Sequence, residues 1–192
     1  SNNIAMGFAA LHGMSANAQS PGSSNIALGN SSQYNFRSGS NNVGVGLSSG
    51  YYAFDGSNNV WIGRDAGAHA TGSNNTFVGY YAGRGGQTSA PYSSGENNVA
   101  IGYQALSGFT TAEGNIAIGY QAGNDITTGA NNVLIGKLAG DLLTLGSNNV
   151  VVGSGALGSA DGLERENIAV GFGAAGGMNS DSAIRNVFIG EY

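Results

Sequence analysis

Two stretches carry the glycine spacing that cradles a dinucleotide pyrophosphate: Gly153-Ser154-Gly155-Ala156-Leu157-Gly158 and Gly171-Phe172-Gly173-Ala174-Ala175-Gly176. Each follows an apolar run, as the chemistry requires. That chemistry also needs a helix of about ten residues behind the glycines to offer its N-terminus to the phosphates. No helical periodicity follows either stretch, so no cofactor is expected.

The remaining reactive groups are sparse. His12 and His69 are the only histidines, there is no cysteine, and neither histidine has a carboxylate pair at ligand spacing, so no metal site is expected. Serines are many, but no Ser, His and Asp occur in a motif-like setting for nucleophilic catalysis. Asp55, Asp65, Asp125, Asp141 and Asp161 fall mostly at corners, the place of solvated turn residues, with a weak calcium site as the alternative. A solenoid polysaccharide-degrading enzyme is a rival class and would need clustered carboxylates on one wall. An ice-binding solenoid would need a regular Thr ladder, and Thr is irregular. The expectation is a chain without enzymatic activity.

The strongest pattern is a pentad found eleven times. Its copies start at Asn3, Asn25, Asn42, Asn59, Asn75, Asn98, Asn115, Asn132, Asn149, Asn167 and Asn186, and Gly always closes it. Successive starts are 22, 17, 17, 16, 23, 17, 17, 17, 18 and 19 residues apart. The second position is β-branched and the fourth is Met, Leu, Val or Ile. Apolar residues two apart share one face of an extended segment, so each pentad predicts a short strand with those two side chains buried. The middle position, small at Ala27, Gly44 and Ala100 and large at Trp61, Phe77 and Leu134, is expected to face a more variable neighbour.

About seventeen residues make one small coil. Three residues after each pentad Gly stands Ala or Ser, from Ala10 and Ser32 to Ala156 and Ala174, which predicts a tightly packed inner corner. A weaker second strand is marked by Phe36, Tyr92, Phe109, Ile126 and Leu143, giving two strands and two corners per coil. The fold class is therefore all-β: a parallel β-roll or β-solenoid of about eleven coils, roughly 50 Å long at about 4.8 Å per step. The pentad Asn side chains have two structural uses at such a corner. They can hydrogen-bond up the stack and cap the backbone, or simply tolerate a left-handed conformation.

Composition fits one elongated repeat domain over residues 1–192. Only 9% of residues are charged, none of them inside a pentad, and the formal net charge is -5. The six basic residues are scattered, so nucleic acid is not an expected partner. No apolar run of 18 residues predicts membrane insertion. The chain starts one step into a repeat and stops just after a pentad, which reads as a segment of a longer fibre. A core of about four apolar side chains per coil calls for further burial by self-association.

The only prolines, Pro21 and Pro91, fall in the two longest intervals. Two insertions are thus expected to leave the wall, Leu11 to Gly22 and Arg84 to Gly95. The second offers Arg84, Gln87, Thr88 and Tyr92, groups suited to contacting a receptor. Aromatics follow the pentad Gly at Phe8, Tyr80, Tyr103, Tyr120 and Phe172, with Tyr34, Tyr51 and Tyr52 near corners. They suit either stacking on sugar rings or covering a seam between subunits.

The run Asn97-Asn98-Val99-Ala100-Ile101-Gly102-Tyr103-Gln104-Ala105-Leu106, with its relatives at Asn131 to Gly136 and Asn74 to Gly79, resembles the Gly/Asn-rich repeat of bacteriophage tail fibres. It is also similar to the head of trimeric autotransporter adhesins. The long coil and frequent Asn-Asn pair stand closer to the phage version. The resemblance implies a left-handed parallel β-roll, a homotrimer formed with two further copies, and attachment to a cell-surface glycan or protein receptor. The implied location is extracellular, on a virion tail fibre or a bacterial surface.

Overall fold

The structure, a computed structural model, describes residues 2–13, 22–86, 89, 92–159, 163–178 and 184–191. Each pentad supplies one three-residue strand: β1 Ile4–Met6, β2 Ile26–Leu28, β3 Val43–Val45, β4 Val60–Ile62, β5 Thr76–Val78, β6 Val99–Ile101, β7 Ile116–Ile118, β8 Val133–Ile135, β9 Val150–Val152, β10 Ile168–Val170 and β11 Val187–Ile189. All eleven form a single parallel sheet in sequence order. Equivalent pentad positions pair throughout, for example Ala100 with Ala117 and Ala117 with Leu134. The molecule is an all-β parallel solenoid, and its described residues contain no helix.

The face of the strand is the reverse of the sequence expectation. In β2 to β10 the middle residue is buried and the second and fourth residues are half-buried or exposed. Ala27, Trp61, Phe77, Ala100, Ala117, Leu134 and Val151 are wholly enclosed, whereas Ile62, Ile101 and Ile135 keep 41%, 38% and 38% of their surface. Period-two alternation separates two faces but does not say which one is inside. The lumen decides. It takes only the middle residue from each strand, beside the inward residues of the rest of the coil, and the second and fourth residues are turned outward.

At several rungs that filling is reciprocal in volume. Where the middle residue is Trp61, Phe77 or Leu134, the residue four after the pentad Gly is itself Gly: a Cβ on Gly67 would lie 2.1 Å from the Trp61 ring and one on Gly83 2.4 Å from that of Phe77. Where the middle residue is Ala100 or Ala27, that place holds Leu106 or Gln33, both fully buried. The sequence expectation of a variable middle residue is met from inside the coil.

The second expected strand is absent as a ladder. The opposite wall makes isolated parallel bridges, such as Phe36 with Phe54 and Ala70 with Ser93. Phe36, Phe109, Ile126 and Leu143 still point inward and are buried. Two left-handed residues per coil break the extended geometry before it reaches that wall: Gln104 at φ 53 and Leu106 at φ 50. The first belongs to a turn in which the N–H of the small corner residue donates to the pentad Gly carbonyl, as from Ala105 to Gly102 at 3.4 Å.

Candidate functional site

The pentad Asn residues form one continuous ladder. Asn115 Oδ1 accepts from both the backbone N–H and the side-chain amide of Asn132, each at 3.0 Å. Its own Nδ2 donates to Asn98 Oδ1 at 3.2 Å and to the Gly129 carbonyl at 2.9 Å. The bond from the backbone N–H of one pentad Asn to the side-chain Oδ1 of the one before recurs from Asn3 through Asn25, Asn42, Asn59, Asn75, Asn98, Asn115, Asn132, Asn149 and Asn167 to Asn186. Asn25 to Asn167 are fully enclosed, so a side chain with both a donor and an acceptor is needed at every rung. The left-handed conformation belongs to the residue before, at φ 60 in Asn41 and Asn58, which accounts for the Asn-Asn pair. These residues hold the corner and offer no surface to a ligand.

Aromatic side chains gather on the wall between the two insertions. His12 stacks on Tyr34 at 4.8 Å and Tyr34 on Tyr51 at 5.0 Å. Tyr51 meets Tyr52 edge-on at 4.7 Å, and Tyr52 stacks on Tyr92 at 4.4 Å. Phe54 and His69 flank that last pair, and the Arg37 guanidinium lies 4.4 Å from the Phe54 ring centroid. The rungs explain the stacking. His12, Tyr34 and Tyr51 each stand five residues after a pentad Gly, so parallel register lays one above another.

Burial, and then the neighbouring phenols of Tyr52 and Tyr34, push the Tyr51 hydroxyl above its ordinary pKa. Burial followed by a hydrogen bond to Tyr52 does the same for Tyr92. These hydroxyls stay protonated at neutral pH and can donate. His69 is held below the usual imidazole range, first by burial and second by the Arg84 guanidinium. The patch is therefore a hydrogen-bonding aromatic wall with Arg37 at its edge, a surface suited to sugar rings.

The receptor residues expected from the sequence divide here. Tyr92 belongs to the aromatic wall. Arg84 turns to Tyr81, its guanidinium 4.9 Å from that ring, while its carbonyl accepts from His69 N–H at 2.8 Å. Gln87 and Thr88 lie outside the described residues, as do residues 14–21 of the first insertion. The sequence reading did not join Tyr34, Tyr51, Phe54 and the two histidines into one patch. The shared offset of His12, Tyr34 and Tyr51 from the pentad Gly was the available signal.

A second aromatic file stands at the corner after the strand. Tyr80, Tyr103 and Tyr120 stack at 5.5 and 5.1 Å with ring planes within 9°. Among the described residues, no helix follows either glycine-spaced stretch. No group of three His, Cys, Asp or Glu side chains poised for a metal occurs among the described residues, nor does a helix long and apolar enough to cross a membrane. Comparison of the chain with family models, curated proteins and solved structures finds no match.

Proposed function

We propose that this chain is a non-enzymatic structural and attachment segment of a trimeric phage tail fibre that binds a host cell surface. The observation that carries the reading is the outward strand face. Along β2 to β10 the second and fourth pentad residues, all aliphatic but Thr76, point away from the lumen, and Ile62, Ile101, Ile116, Ile135, Val150 and Ile168 are among the exposed ones. A contiguous apolar stripe running the length of a rod is an association surface. In-register stacking makes that stripe similar from rung to rung, so like copies fit it, and three copies about one axis cover it without leaving an open end.

Rod geometry supports a mechanical role, and the aromatic wall supports attachment. Three-fold symmetry would present that wall three times, which multiplies a weak contact into an avid one. A bacterial surface adhesin head, which the repeat also resembles, is the alternative; the Asn-Asn pair and long coil favour the fibre. Sedimentation of the folded chain at micromolar concentration tests assembly, with a trimer expected and a stable monomer against it. Binding to bacterial cells and to a glycan array, weakened by Tyr52→Ala and Tyr92→Ala, tests attachment.

A further inference from the structure

We propose that the tyrosine file at the corner after the strand is a binding site for an extended, uncharged glycan chain lying along the rod axis. It uses a different wall from the aromatic patch between the insertions. The file occupies five successive rungs: Arg64, Tyr80, Tyr103, Tyr120 and Lys137, each the residue after a pentad Gly. Tyr103 and Tyr120 keep 42% and 46% of their surface. Arg64 closes one end, its guanidinium 5.6 Å from the Tyr80 ring, and Lys137 the other, its ammonium 6.0 Å from that of Tyr120.

The rings of Tyr80, Tyr103 and Tyr120 follow one another at 5.5 and 5.1 Å with nearly parallel planes. The exposed parts of Tyr103 and Tyr120 are open to contact with pyranose C–H groups. The rungs repeat at roughly 5 Å, set by strand pairing, which is close to the advance of one sugar ring in an extended β-linked chain. Successive sugars then meet equivalent rings.

Beside the rings runs a parallel file of hydrogen-bonding groups. Gln121 Nε2 donates to Gln104 Oε1 at 2.8 Å, which leaves Gln104 Nε2 and the Gln121 carbonyl available for sugar hydroxyls. Charge argues for an uncharged chain. Arg64 Nε is already paired with Asp65 Oδ2 at 3.1 Å, and the chain as a whole carries -5. Between Arg64 and Lys137 the file itself holds tyrosines and no cation for the successive charges of a polyanion.

The proposal deepens the attachment reading and rests on it only for the source of the glycan. The test is calorimetric titration of the assembled chain with cellohexaose, mannohexaose and xylohexaose, taking coiled maltohexaose and anionic hexagalacturonate as controls. At least one extended β-linked hexaose should bind, and Tyr103→Ala or Tyr120→Ala should weaken it at least tenfold while sedimentation and circular dichroism stay unchanged. Other coils carry Asn30, Leu47 and Ser154 at this position, so a small side chain is compatible with the fold. Tyr103→Phe, which keeps the stack and removes one hydroxyl, should weaken binding less.

Absence of binding by all three extended hexaoses overturns the proposal, as do undiminished affinity in the alanine variants and tighter binding of hexagalacturonate or maltohexaose. Altered assembly in both alanine variants would make the file a subunit seam and overturn it too. Cell binding that survives in the Tyr103→Ala, Tyr120→Ala double variant would remove this site and leave the attachment reading standing. Cell binding absent from the unaltered fibre, with hexaose binding present, would do the reverse.

Discussion

Two residue types set the register of the coil, and each can be tested alone. Replacing Asn115 with Ala leaves the Asn132 N–H, the Asn132 amide and the Gly129 carbonyl short of partners in an enclosed corner. Unsatisfied buried groups cost about 1 to 3 kcal/mol each, partly relieved by relaxation, so Asn115→Ala should lose about 2 to 4 kcal/mol in a urea titration. The glycines differ among themselves. Gly67→Ala drives a Cβ into the rigid Trp61 ring and should cost about 3 kcal/mol or more, whereas Gly155, at φ 65 with nothing near its Cβ position, should lose only the left-handed strain of about 1 kcal/mol. A smaller gap between the denaturation midpoints of these two variants would show that the lumen yields more than the packing indicates. Invariance of Asn and Gly was plain in the sequence. The division of labour between the two Asn of each pair was not, because only coordinates show which one has positive φ.

At the scale of the element, period two and the pentad repeat made the pentad strands and their parallel order legible, since apolar residues two apart fit an extended segment and not a helix, while the second strand expected in each coil did not form as a ladder. The inward face was not legible from hydrophobicity, because both faces are apolar. The pairing of Trp61 with Gly67 and of Ala100 with Leu106 was in the sequence, and such volume compensation is the signal that identifies the lumen. The aromatic wall adds a pH test. His69 has its pKa depressed in the folded state by burial and by Arg84, so the unfolded chain takes up the proton first on acidification. Its contribution is present above the ordinary imidazole pKa of about 6.5 and is lost as pH falls through the lower folded value. The thermal midpoint should therefore drop more between pH 7.5 and pH 5 in the unaltered chain than in His69→Gln. Equal drops would mean that Tyr52 and Tyr92 accommodate the charged ring without loss.

The whole molecule turns on where the pentad aliphatics point. Were they lumen residues, Ile118→Asp would place a charge in the core and unfold the coil. Ile118 lies instead on the outward face of β7, half-buried between Ile101 below and Ile135 above it, with water on the fourth side. An aspartate there can reach solvent in a single chain, so the fold should survive with a loss of about 1 kcal/mol or so from the missing ladder contact. In the proposed trimer the same carboxylate would be closed against two other copies, each bringing its own. Three desolvated like charges around one axis cost far more than one exposed charge, and the assembly should fall apart while the β-sheet spectrum persists. Sedimentation and far-ultraviolet circular dichroism on Ile118→Asp separate the cases: a folded monomer supports assembly through the strand face, an unfolded chain returns Ile118 to the core, and an intact trimer moves the interface to another wall.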